Sequence, residues 1–140
     1  MRLSAEDARA RFSAARVARL ATASADGVPH LVPVTFAVHG DAVVFAVDHK
    51  PKTTTALRRL ANIAANPAVC FLVDEYAEDW SQLWWARADG VARVLDSADR
   101  AEPLQWLAAK YEQYAAHPPE HAVVSTLVHS WRGWAGSSTS

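Results

Sequence analysis

Residues 48 to 67 read "DHKPKTTTALRRLANIAANP", with Lys50 and Lys52 just ahead of Thr53, Thr54 and Thr55, and with Arg58 and Arg59 one turn further on. The first turn of a helix carries unpaired N–H groups and about half a positive charge, so cations and hydroxyls gathered there make an anion site. Phosphate is the anion this set suits: ammonium groups act as point charges, while hydroxyls and backbone amides supply directional donors. Arg58 and Arg59 could hold a further carboxylate or phosphate. The same residues also describe an ordinary threonine cap behind solvated lysines, and spacing alone does not separate the two readings.

Other kinds of chemistry find less support. None of the six histidines pairs with another at metal-ligand spacing on one helix face, and no carboxylate completes a zinc pattern, so no metal site is expected. Ser125, Ser130 and Ser137 lack a nucleophile elbow, and no glycine-rich dinucleotide loop is present. Cys70, the only cysteine, sits in the apolar run "AVCFLV" and reads as a core thiol. Six tryptophans are many for 140 residues, and Trp80, Trp84 and Trp85 fall within one short stretch. Aromatics this dense fill a core or a subunit interface, or they stack on a flat ligand.

The elements that must position these residues follow from pattern. Ser4 with Asp7 is a weak capping box ahead of a first helix running to about Arg16. "RVARLATAS" and "VPHLVPVTFAV" are β-rich runs joined at Asp26-Gly27, and the second alternates Val28, His30, Val32, Val34 and Phe36 on one face. Pro29 and Pro33 lack the ladder N–H, which marks that strand as an edge, a bulge, or a surface that a ligand approaches. "HGD" turns the chain into "AVVFAV", apolar on both faces and so a buried strand.

Residues 53 to 65 then form a helix with Leu57, Leu60, Ala61 and Ala64 at helical spacing, ended by Asn66-Pro67, and "AVCFLV" is the strand that leaves it. "WARADGVARVLD" is ambiguous, since Asp89-Gly90 suits a hairpin turn while the flanking residues also fit one strand bent at a glycine bulge. A second long helix is expected from Ser97 to about His117, with Leu104, Leu107, Ala108, Tyr111 and Ala115 on one face, and "HAVVSTLVHSWRGW" is a final strand.

With 140 residues, 51% of them hydrophobic, the chain suits one domain, expected over 1–136 with a disordered tail at 137–140. A formal charge of -1 provides no basic field for nucleic acid or anionic lipid. No apolar segment approaches the roughly 20 residues of a membrane span, and the charged N-terminus has no signal-like apolar stretch, so a cytoplasmic protein is expected. Strands outnumber helices, and the class is α+β, mainly β. A phosphate site, a proline-interrupted strand and abundant aromatics suit a flavin-like cofactor that brings its own chemistry.

In the order and spacing of "RLATASADGVPHLVPVTFAV", "FAVDHKPKTTTALRRLANIAANPAVCFLVDEY" and "DWSQLWWARADGVARV", the sequence resembles the flavin and deazaflavin oxidoreductases of the pyridoxamine-phosphate oxidase class, in particular small actinobacterial members dependent on coenzyme F-420. The resemblance covers roughly residues 10 to 95. It implies an FMN-binding-like split β-barrel, an antiparallel six- to seven-stranded barrel with flanking helices, in which "WARADGVARVL" is one strand.

It further implies that Lys50 and Lys52 hold the cofactor phosphate with Thr53 and Thr54, Lys50 standing where the family often has arginine. The ring is then expected against His30, Val32, Pro33, Val34 and Thr35, with Arg58 toward an anionic tail. The groove of such proteins lies between the subunits of a homodimer, and Trp80, or alternatively Trp84, is the aromatic expected to reach the partner's groove. The activity implied is hydride transfer from reduced F-420 to an electron-poor small molecule. An FMN-dependent oxidase or reductase, or a cofactor carrier without turnover, are the other readings. His30 could relay a proton, although a structural histidine has the same sequence signature.

Overall fold

The computed structural model describes residues 1–47 and 54–137, with 54–56 described by backbone alone; Lys50, Lys52 and Thr53, together with residues 138–140 of the expected tail, lie outside the described residues.

Ser4 caps helix α1 (Ala5–Ala14) as its sequence suggests, its hydroxyl accepting the Asp7 N–H at 3.1 Å, and Ala8 and Phe12 go into the core. Strands β1 (Ala18–Ala23) and β2 (Pro29–Val34) are joined at Asp26-Gly27, where Gly27 takes φ +82°. The region expected as one strand after that turn is two. β2 stops at Val34, and β3 (Ala37–His39) begins after Thr35 and Phe36. Gly40, at φ +59°, then turns β3 into β4 (Ala42–Ala46). Both glycines occupy the left-handed region that a side chain disfavours.

Helix α2 (Thr54–Ala65) leads to β5 (Ala68–Glu75). After a 3-10 turn at Trp80–Gln82 comes β6 (Trp84–Val94), one strand of 11 residues in which the register shifts between Asp89 and Gly90. The glycine is a bulge, not a hairpin, because β5 and β7 (Val123–Ala135) pair with β6 on both sides of it. An added Cβ at Gly90 would lie 2.8 Å from the Thr126 methyl, so the close approach of β7 also requires the glycine.

All seven strands form one antiparallel sheet in the order β2-β1-β5-β6-β7-β4-β3. β2 and β3 are its opposite edges, yet only Thr35 and Phe36 separate them. The three residue steps from Val34 to Ala37 span at most about 10 Å, so the sheet must curl until its edges meet. The result is a split β-barrel filled by Phe12, Phe36, Phe45 and Phe71; the Phe12 ring centroid lies 4.8 Å from that of Phe36 and 6.2 Å from that of Phe71.

Three local expectations are corrected. On α2 the buried positions are Asn62 and Ile63, with Arg59 and Leu60 half-buried, while Leu57, Ala61 and Ala64 face outward. Cys70 is half-exposed on the outer surface of β5, because Val69, Phe71 and Val73 take the inward positions. The expected long C-terminal helix is α3 (Ala101–Lys110) and α4 (Glu112–Ala116), broken where Tyr111 adopts an extended backbone. The break lets the Tyr111 hydroxyl lie 2.7 Å from the Arg16 carbonyl and 3.0 Å from that of Phe36, to which it donates, while it accepts the Phe36 N–H. The one phenolic proton is shared between the two carbonyls, and the oxygen accepts the Phe36 N–H, so the broken helix position ties α4 to the backbone of Arg16 and Phe36. Pro103 falls within the first turn of α3, where its missing N–H costs no helical bond.

Candidate functional site

β2 is an edge strand, paired with β1 alone, which fits the two prolines in it. Its alternation points His30, Val32 and Val34 inward and Pro29, Leu31 and Pro33 outward. Val34 is buried and Val32 packs against the core, so what these two present to a neighbour is chiefly backbone. Pro33 is exposed, opposite Arg19. His30, opposite Thr22, is half-buried, and its Nδ1 is out of reach of solvent with no partner among the described residues. Burial lowers the His30 pKa from its ordinary 6.5, and the guanidiniums of Arg58 and Arg59 lower it further, so the ring is neutral at pH 7.

Helix α2 brings the arginines to this ring. Asn62, buried on the same helix, donates from Nδ2 to Thr22 Oγ1 at 3.1 Å and fixes the helix to β1. Arg58 remains exposed, whereas Arg59 is half-buried, its guanidinium 5.8 Å from the Phe45 ring centroid and its Nε enclosed without a partner among the described residues. Burial pulls the Arg59 pKa down, and the negative charge of Tyr114, where it is ionised to phenolate, opposes this. Tyr114 also shares a 2.7 Å hydrogen bond with Thr35 Oγ1. One side of the barrel therefore carries His30 on β2 and Thr35 just after it, Arg58 and Arg59 from α2, and Tyr114 from α4.

The sequence-expected residues are thus partly brought together. His30, Thr35 and Arg58 belong to this region, Thr54 opens α2, and Lys50, Lys52 and Thr53 lie outside the described residues. Trp80 is elsewhere in the chain fold, 69% exposed on the turn that follows β5. His30 faces Thr22, next to the Ala21 that pairs with Cys70, whereas Trp80 follows Glu75 at the far end of β5. At about 3.3 Å per residue, that separation is on the order of 15 to 20 Å along the strand. Trp84 is half-buried, its indole N–H bonded to Glu75 at 2.8 Å and its ring covered by Arg11. Sequence reasoning did not single out Asn62, Tyr114 or the enclosure of Arg59. A polar side chain three positions after Arg59 was the one signal available for the first.

His30 Nδ1 and Arg59 Nε are enclosed polar atoms that a bound group can satisfy, and unpaired buried polar atoms are costly otherwise. A guanidinium and a neutral imidazole beside an open strand edge fit a ligand that combines a flat polar ring with an anion. Among the described residues, no three His, Cys, Asp or Glu side chains gather to hold a metal ion. No described helix is long and apolar enough to cross a membrane.

The pyridoxamine 5'-phosphate oxidase family matches residues 4–135, and the chain belongs to that family. Solved structures of the same fold include an FAD-binding protein from Mesorhizobium loti, 20% identical over 95% of each chain with a TM-score of 0.72. An FAD-binding protein from Mycobacterium smegmatis is 24% identical over 96% of this chain and 97% of that one, at a TM-score of 0.67. A heme-binding protein from the same organism has a TM-score of 0.74 and 22% identity, covering all of this chain and 57% of that one. No curated protein matches the sequence.

Proposed function

We propose that the protein is an oxidoreductase that binds a deazaflavin of the F-420 type in the groove beside β2, and that two copies form that groove as a homodimer. The observation that carries the reading is the enclosed, unpartnered His30 Nδ1 beside Arg58 and Arg59, at an edge strand whose inward residues present backbone. Lys50, Lys52, Thr53 and Thr54 take the cofactor phosphate; His30, Val32, Pro33, Val34 and Thr35 line the ring. Arg58 and Arg59 meet the anionic tail, and the longer tail of a deazaflavin is what favours it over FMN. The FAD named in two structural relatives supports a flavin-type ligand, and FMN remains the second reading.

When bound and reduced, such a cofactor supplies hydride from a ring carbon. The chain's own part is to orient the ring, exclude water and hold charge. Neutral His30 can accept or donate a hydrogen bond at Nδ1 against the ring, while the guanidiniums of Arg58 and Arg59 hold the tail. The substrate is an electron-poor small molecule.

The homodimer is supported by the outer face of the sheet, where Leu31, Leu72, Val91 and Leu127 are 67%, 37%, 50% and 69% exposed. An apolar surface of this kind marks an interaction site, and a second copy covers it. Trp80 then reaches the partner's groove.

Titration of the purified protein with F-420 and, separately, with FMN tests the reading through quenching of tryptophan fluorescence. Saturable F-420 binding with weak FMN binding is expected. Preference for FMN moves the protein to the flavin reading, and binding of neither removes the site.

A further inference from the structure

A cleft of about 320 Å³ lies between the end of α1, strand β3 and helix α3, with Ser13, Ala37, His39, Trp106, Ala109 and Lys110 in its lining. β3 is the outermost strand on its side of the sheet and pairs with β4 alone. Helix α3 lies over both strands, Leu107 sharing one buried cluster with Ala37 and Val44. Leu31, Leu72, Val91 and Leu127, the residues assigned above to a second copy, line no part of this cleft.

The chemical group of the cleft is the Lys110 amine. Its Nζ donates to the Ser13 carbonyl at 3.2 Å and lies 3.8 Å from the Phe36 ring centroid and 5.4 Å from that of Tyr111. Among the described residues no carboxylate forms an ion pair with it. The charge that acts on it is that of Arg16, whose guanidinium sits 4.6 Å from the Tyr111 ring centroid. Burial and this second cation lower the Lys110 pKa to about 8, so the free amine, a nucleophile, is available near neutral pH. The walls complete the picture. The rings of His39 and Trp106 are stacked 4.3 Å apart and within 2° of parallel, while Ala37, Ala109 and Ser13 are small and leave the space open.

We propose that this cleft is a carbonyl-binding site, in which the Lys110 amine condenses reversibly with a small aromatic aldehyde whose ring lies against Trp106. Nζ attacks the carbonyl carbon and forms the C–N bond; the carbonyl oxygen leaves as water with the two protons of the amine, and an imine remains. Nothing is oxidised or reduced. An aldehyde suits the cleft because it is uncharged on entry, so it adds no charge to aromatic and apolar walls, and because its carbon accepts an amine without a leaving group other than water. The volume is at the small end of the range for ligand sites, which fits a single ring. The site is separate from the groove beside β2 and does not depend on the cofactor assigned there.

Trapping with benzaldehyde and cyanoborohydride on the full chain tests the proposal, since the reductant fixes an imine as a benzylamine that peptide mass spectrometry locates. The lysines of the chain are Lys50, Lys52 and Lys110. Lys110 is expected to be benzylated roughly tenfold faster than the other two, with a rate that saturates in benzaldehyde. Benzyl alcohol, which cannot condense, is expected to protect it. Ala109→Leu fills the cleft without touching the amine; it is expected to slow benzylation roughly fivefold and to leave methylation of Lys110 by formaldehyde and cyanoborohydride unchanged. Equal slowing of both reactions, or of neither, overturns the proposal, because Lys110 is then a reactive amine without a ligand site. Protection by benzoate in place of benzyl alcohol overturns it in favour of an anion held by the ammonium. Labelling of Lys110 that appears only as the protein is diluted overturns it in favour of a cleft covered by a second copy.

Discussion

Asn62 Nδ2 donates to Thr22 Oγ1 across 3.1 Å, and Thr22 is the residue that faces His30 in the ladder. One buried hydrogen bond therefore sets both the position of helix α2 on the barrel and the distance between its arginines and the imidazole.

Asn62→Leu keeps the volume but leaves the Thr22 hydroxyl enclosed without its donor, an exchange that costs about 1 to 3 kcal/mol. A fall of that size in urea unfolding, together with weakened cofactor binding, is expected. Weakened stability with cofactor affinity untouched separates the helix position from the site.

Folded His30 has a pKa below 6.5 because of burial first and Arg58 and Arg59 second. Above 6.5 the ring is neutral in folded and unfolded chains alike, and its contribution to stability is complete. As the pH drops below 6.5 the unfolded chain takes up a proton that the folded ring refuses, so this contribution declines until the lowered folded pKa is passed. Arg58→Gln removes one of the charges and is expected to raise the His30 pKa, read from the imidazole proton shifts by NMR. An unmoved titration curve shows that Arg58 does not act on the ring.

Lys52→Ala removes one charge-assisted contact to a phosphate and is expected to weaken cofactor binding by about 1.5 to 3 kcal/mol. Unchanged affinity takes the phosphate away from this helix start.

Much of this architecture was legible in the chain itself. Ser4, Asp26-Gly27, the "HGD" turn and the prolines of β2 act through local backbone geometry, and each appears where local rules put it. Asp89-Gly90 obeys the same local rule for a hairpin and is overruled, since two neighbouring strands pair through it. The face of α2 was misread because Leu57, Ala61 and Ala64 are apolar and helically spaced, while the barrel takes Asn62 for its bond to Thr22. Tyr111 could not be foreseen as a helix break: its partners, Arg16 and Phe36, lie 95 and 75 residues away. Within the candidate site, what the sequence showed was charge; which guanidinium is enclosed depends on the barrel's mouth.

Tyr111→Phe keeps the ring and removes the hydroxyl that serves the backbone of Arg16 and Phe36. An enclosed carbonyl and N–H are left unpaired, and a loss of about 1 to 3 kcal/mol in denaturant unfolding is expected. A change well below 1 kcal/mol shows that water replaces the phenol.

Lys110 has its pKa lowered to about 8, through burial first and Arg16 second, with Nζ 3.8 Å from the Phe36 ring centroid and donating to the Ser13 carbonyl. Its burdened charge weighs fully on the fold below pH 8; as the pH rises from 8 toward 10.5 the folded amine sheds its proton first and stability from this group increases. At pH 8 it therefore has a far larger neutral fraction than an ordinary lysine, and limited acylation with acetic anhydride followed by peptide mass spectrometry is expected to label Lys110 early. Labelling no faster than Lys50 or Lys52 contradicts the lowered value.

The two residues Thr35 and Phe36, which carry the chain from one edge of the sheet to the other, make the barrel wall and its fastening the same piece of backbone. Lengthening that piece by even a few residues would slacken the curl and let the edge strands β2 and β3 swing apart, each then open along its whole length. Unpaired edges recruit strands from other molecules. Tolerance to insertion should thus be lowest at this inconspicuous link, and a chain altered there should be lost to aggregation.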